Sequence, residues 1–134
     1  MATDEKRKTM AMFDTVTGSN HGTEIELLTK DGDPSGVKVR ILGPDSDEAI
    51  RADRAATLRN MKLHQKGASN RIDVQQDVIE KLVSVTTGWS GMPGDDGKDR
   101  PFSKDAAREV YANYPAIRRD VLREHEDTRN FTRG

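Results

Sequence analysis

The chain has 134 residues, enough for one domain, and balances 22 Lys and Arg against 23 Asp and Glu for a net charge of −1. No cysteine is present, which excludes disulfides, thiolate metal sites and cysteine nucleophiles, and the near-neutral balance gives no global pull toward phosphate backbones. With 33% apolar and 34% charged residues the core must be thin, so a partner or self-association that binds only the folded state adds to its stability.

Residues 1–22 open on a charged run, Asp4 to Lys8, continue into Gly18, Asn20 and Gly22, and show no sustained apolar period. They read as a mobile N-terminal arm without the apolar stretch of a signal peptide, and nothing in the chain approaches the ~18 apolar residues that span a bilayer. A single α+β domain is expected over 23–131. It starts with a β-hairpin at 23–43, because Ile25 and Leu27 alternate with Glu24 and Glu26 and the run Val37 to Ile41 alternates likewise. The intervening Asp31-Gly32-Asp33-Pro34-Ser35-Gly36 supplies the turn, and two acidic positions should face two basic ones across the strands.

After Gly43 and Pro44, the cluster Asp45-Ser46-Asp47-Glu48 offers cap and first-turn residues, so a helix begins there and runs to about Lys66, with Gly67 as its stop. Ile50, Leu58 and Met61 fall toward one side of it. A second helix carries Val74, Val78, Ile79, Leu82, Val83 and Val85, the broadest apolar stripe of the chain, and completes a helix pair over 45–88 that ends at Thr87-Gly88. A loop follows over 89–101, starting at Trp89. Another helix pair is expected over 103–126, with Ser103 as N-cap, Ala106, Ala107, Val110 and Tyr111 facing inward, and Pro115 in the first turn of the last helix. Residues 127–134 form a tail ending in Asn130-Phe131.

Motifs that carry chemistry do not assemble. Asp31, Asp33, Ser35 and Gly36 match the first half of a calcium loop, but Leu42 stands where a bidentate Glu belongs. His21, His64 and His125 lie in unrelated segments without metal-ligand spacing, and His125 between Glu124 and Glu126 reads as a surface residue. No phosphate-cradling glycine run, nucleophile elbow or other cofactor motif is found, so the expectation is no enzyme, no metal and no cofactor. Arg118, Arg119 and Arg123 are interleaved with Asp120, Glu124 and Glu126, a mixed solvated face that gives nucleic acid little support. Trp89, Phe102 and Phe131 are the large aromatics in unusual places. Trp89 and Phe102 either cover the thin core or meet a partner; Phe131, in a tail that gains little from local folding, reads as an interface anchor whose truncation spares the fold.

Taken in order, Val39-Arg40-Ile41-Leu42-Gly43-Pro44-Asp45-Ser46-Asp47, Gly88-Trp89-Ser90-Gly91, Pro101-Phe102-Ser103, Val110-Tyr111 and Asp127-Thr128-Arg129-Asn130-Phe131 resemble the tail assembly chaperones of long-tailed bacteriophages and prophages, over roughly residues 23–131. The resemblance implies a non-catalytic protein of the host cytoplasm that binds the tape measure protein, keeps it soluble, assists recruitment of tail tube protein, and is absent from the finished virion. It implies shallow apolar grooves rimmed by charge, with Trp89, Phe102, Tyr111 and Phe131 as contact or groove-forming residues. A structural tail or head-completion protein and a small nucleic-acid-binding regulator are the alternatives of other classes.

Overall fold

The structure is a computed structural model that describes residues 8–132. It is an α+β fold in which a three-stranded antiparallel sheet is packed with five helices. The strands are β1 (Thr23–Leu28), β2 (Pro34–Ile41) and β3 (Thr86–Ser90), in the order β1-β2-β3; the helices are α1 (Val16–His21), α2 (Asp47–Gln65), α3 (Val74–Val85), α4 (Lys104–Asn113) and α5 (Pro115–Glu126).

The hairpin forms as its alternation predicts. Glu24 stands opposite Arg40 and Glu26 opposite Lys38, while Ile25, Leu27, Val39 and Ile41 turn into the core. The turn is tighter than the polar cluster suggests, because β2 begins at Pro34 and the reversal is closed by Thr29 and Asp33. A bulge between Glu26 and Leu28 absorbs the mismatch in register.

The third strand is a correction. Thr86–Ser90 was expected to finish a helix and open a loop, yet β3 pairs with β2, Ile41 opposite Thr86 and Val39 opposite Trp89. The run is only five residues long, contains Gly88 and follows α3 without a turn, so no local pattern announces it. What ends α3 is its neighbour: the Lys104 ammonium donates to the carbonyls of Val83 (2.8 Å) and Thr86 (2.7 Å), satisfying groups that a continuing helix would have used.

Helix starts follow the capping residues. Ser46, Asp73 and Ser103 accept from the amides of Ala49, Gln76 and Ala106, and Pro115 occupies the first turn of α5. Gly67, at φ +69°, follows the end of α2 in the left-handed region. The inward stripe of α3, Ile79, Leu82, Val83 and Val85, is the centre of the core together with Ala107, Val110, Tyr111 and Val121. Arg108 grips Glu80 through two bonds of 2.7 and 3.0 Å, tying α4 to α3 and holding the Glu80 carboxyl below its ordinary range.

Two further expectations are corrected at the chain ends. The arm drawn over 1–22 includes α1: Asp14 accepts from the Val16 and Thr17 amides, and Ser19 is buried against Gly43. Residues 1–7 lie outside the described residues. The tail likewise docks: Thr128–Phe131 form a 3-10 turn and Phe131 is 1% exposed, because Asn130 donates to the Glu124 carbonyl and folds the chain back on α5.

His125 is the fourth correction. It is fully buried rather than on the surface, since α5 turns this position toward the segment after β2, where Nδ1 bonds the Leu42 carbonyl at 2.8 Å. Its Nε2 is buried without a partner, so the neutral tautomer with a proton on Nδ1 fits the site. Burial pushes the imidazole below its ordinary pKa; the Leu42 carbonyl pulls upward, Lys81 presses downward, and Glu126 and Asp53 pull upward. A base with a depressed folded pKa takes up protons first in the unfolded state. Stability is therefore full above about pH 6.5 and falls as the pH drops from there toward the folded value, by at most ~1.4 kcal/mol per pH unit. The urea midpoint should decrease between about pH 7.5 and about pH 5.5, and His125→Gln should flatten that decrease. An unchanged slope in the variant would place the pH sensitivity elsewhere.

Candidate apolar groove between the hairpin and the C-terminal helices

The loop from Gly91 to Ser103 is held against the sheet by its own bonds. Pro93 bridges Asp99, the Gly94 amide donates to the Lys98 carbonyl (2.6 Å), and the Arg100 amide donates to the Met92 carbonyl (2.6 Å). From the sheet side, the Trp89 indole donates to the Arg100 carbonyl at 2.8 Å, and the Phe102 ring meets Trp89 edge to face with centroids 5.0 Å apart.

This loop is one wall of an open groove of about 250 Å³. Leu28 and Val37 of the hairpin form the second wall, Tyr114 and Ile117 at the α4–α5 junction the third, and Met92 closes one end. The hairpin wall is fixed to α5 by the Leu28 amide, which donates to Asp120 at 3.0 Å. Arg118 holds the junction by donating to the Tyr111 carbonyl at 2.7 Å. Charge sits at the rim, where Arg100 lies between Asp95 (3.5 Å) and Glu109 (3.8 Å). The exposed ion pairs contribute little energy but mark a water-facing edge around an apolar floor.

None of the four aromatics singled out in the sequence lines this groove. Trp89 and Phe102 are half-buried and act one step behind it, fixing its loop wall. Tyr111 is fully buried, its hydroxyl bonded to Thr86 at 2.7 Å, and burial pushes its phenol up to about 12. Phe131 is core at the other end of the hairpin, against Gly43. The aromatic that does line the groove is Tyr114, 49% exposed, which is not among the residues singled out in the sequence. Its signal was there: a residue before proline is held out of the helical region, here at φ −123° and ψ 84°, and its side chain leaves the helix face.

Among the described residues no group of three or more His, Asp or Glu gathers with metal-ligand geometry, and no helix is long and apolar enough to cross a membrane. No protein-family model, curated protein or solved structure matches the chain.

Proposed function

We propose that this protein is a tail assembly chaperone of a long-tailed phage or prophage, binding the tape measure protein in the host cytoplasm and assisting recruitment of tail tube subunits. The observation that supports it is the open apolar groove with Leu28 and Tyr114 accessible at its edge and ions at its rim. A groove of this kind accepts the apolar face of an amphipathic helix. Such a role asks for binding that is repeated and replaceable, which suits a shallow site better than a deep one.

The test is co-expression with the tape measure protein of the same genome. Co-purification with gain of solubility of the longer chain is the expected result; a folded protein that leaves its partner insoluble would turn the reading toward a structural component of the particle. Tyr114→Glu places a charge at the groove edge on a half-exposed site. It should leave the urea midpoint within about 0.5 kcal/mol of wild type and cut client recovery at least about tenfold, equivalent to ~1.4 kcal/mol of binding.

A further inference from the structure

A second surface is left without a partner. Helix α2 has 19 residues and so is about 28 Å long at ~1.5 Å per residue, yet only Ala49 of it is fully buried. Its inner face is small: Ala52 and Ala56 share a shallow recess with Val74 and Val78 of α3. Leu63 is half-buried on this side, but the other three large apolar residues point the other way, with Ile50 43%, Leu58 53% and Met61 52% exposed. At ~100° per residue these three positions fall within about 80° of the helix circumference, with Arg54 among them. They were legible as one side of the helix; the structure shows that side turned to solvent because the alanines, not the large residues, meet α3. At the head of α2 the segment with exposed Met10 and Phe13 is tethered by Thr15 to Asp45 and by Asn20 to the Asp47 amide (3.0 Å).

Asp47, Glu48 and Asp53 lie near Ile50, but around Leu58 and Met61 the charge has one sign. From Arg54 to Arg71 the chain carries Arg54, Arg59, Lys62, Lys66 and Arg71 and no Asp or Glu. Arg59 turns to Asp77 of α3 at 2.8 Å, whereas Arg54, Lys62 and Lys66 are exposed. A shallow depression of about 460 Å³ beside Met61, lined also by Asn60, His64 and Ile72, can receive a side chain from a partner lying along the helix.

We infer that the outer face of α2 docks an amphipathic helix whose apolar stripe is bordered by carboxylates. Apolar residues at the centre call for an apolar counterpart, which a phosphate backbone does not offer, and the basic border calls for acidic flanks. A second copy fits less well. Antiparallel pairing of α2 with itself about the middle of the Ile50–Met61 stripe sets one Arg54 close to the other, two like charges near the symmetry axis. The inference rests on the reading of the protein as a binder of helical chains, and adds a second contact and the charge of what it contacts.

The experiment uses the full chain and a fluorescein-labelled helical peptide of ~20 residues, long enough to hold a helix, with a Leu/Ala stripe bordered by Glu, beside a counterpart bordered by Lys. The Glu-bordered peptide should bind at least about tenfold tighter by anisotropy and weaken as salt rises from about 50 to about 200 mM. Leu58→Glu with Met61→Glu, and separately Lys62→Glu with Lys66→Glu, should each lower affinity about tenfold without moving the urea midpoint, while Tyr114→Glu leaves peptide binding intact. Equal binding of both peptides, or none, overturns the inference. So does a dimer in sedimentation that Met61→Glu abolishes, which makes a second copy the occupant, or tighter salt-sensitive binding of duplex DNA to the same face. Wild-type protein that fails to bind the Glu-bordered peptide yet still co-purifies with the tape measure protein would remove the α2 contact and leave the groove reading standing; peptide binding without co-purification would remove the groove reading.

Discussion

Phe131→Ala is expected to destabilise the protein by about 3–5 kcal/mol, a large share of the ~5–15 kcal/mol that holds a domain of this size together. The ring is 1% exposed and belongs to the continuous core with Leu42 and Val121. Truncation opens a cavity against Gly43, a neighbour that has no side chain to move into it. Urea denaturation measures it directly, with Phe13→Ala as the comparison; Phe13 is 67% exposed, and its loss should cost within about 0.5 kcal/mol. A Phe131 variant as stable as wild type would restore the interface anchor suggested by its place in the sequence. Otherwise any loss of partner binding in that variant reports unfolding, and should vanish under conditions where the variant is folded.

Gly43→Ala is expected to cost about 3 kcal/mol, from overpacking together with bonds that must shift. A Cβ at this position would lie 2.4 Å from the Ser19 hydroxyl, 2.8 Å from the Ser19 Cα and 2.8 Å from the Phe131 ring. Neither side can give easily. The Gly43 amide donates to the Ser19 carbonyl (2.9 Å), the Ser19 hydroxyl accepts from the Asp45 amide (3.2 Å), and the Gly43 carbonyl accepts from the Ser46 hydroxyl (2.7 Å). Three distant segments, α1, the cap of α2 and the C-terminal turn, therefore meet around one hydrogen atom. Because the ring is one of the obstacles, the double variant with Phe131→Ala should be less unstable than the sum of the two, by on the order of 1 kcal/mol. Strict additivity in that cycle would show that Phe131 and Gly43 are not in contact.

These junctions bear on function. Gly43, Phe131 and His125 fix one end of the hairpin, while the groove opens at its other end, near Leu28 and Val37. The aromatic residues that drew attention in the sequence serve mainly to hold the fold and the loop wall, and the surfaces offered to a partner are Tyr114 with Leu28 and the outer face of α2.

The sequence by itself determined the elements whose signals are local. The hairpin followed from period-two alternation, with Glu24 and Glu26 set against Arg40 and Lys38; α3 followed from its apolar stripe, the starts of α2 and α4 have Ser46 and Ser103 as caps, and that of α5 has Pro115. Each depends on groups within a turn of one another or on a strict repeat, so neighbouring residues suffice to read it. The tertiary structure decided whatever rests on partners far along the chain. β3 exists because β2 offers an edge and Lys104 takes the carbonyls that end α3. α1 is held by Gly43, 24 residues beyond Ser19, His125 is buried under the Leu42 carbonyl, and Phe131 reaches the same junction from the far end. The outward stripe of α2 had the same cause: periodicity shows that Ile50, Leu58 and Met61 share a side, but only packing of the alanines on α3 decides which side meets water.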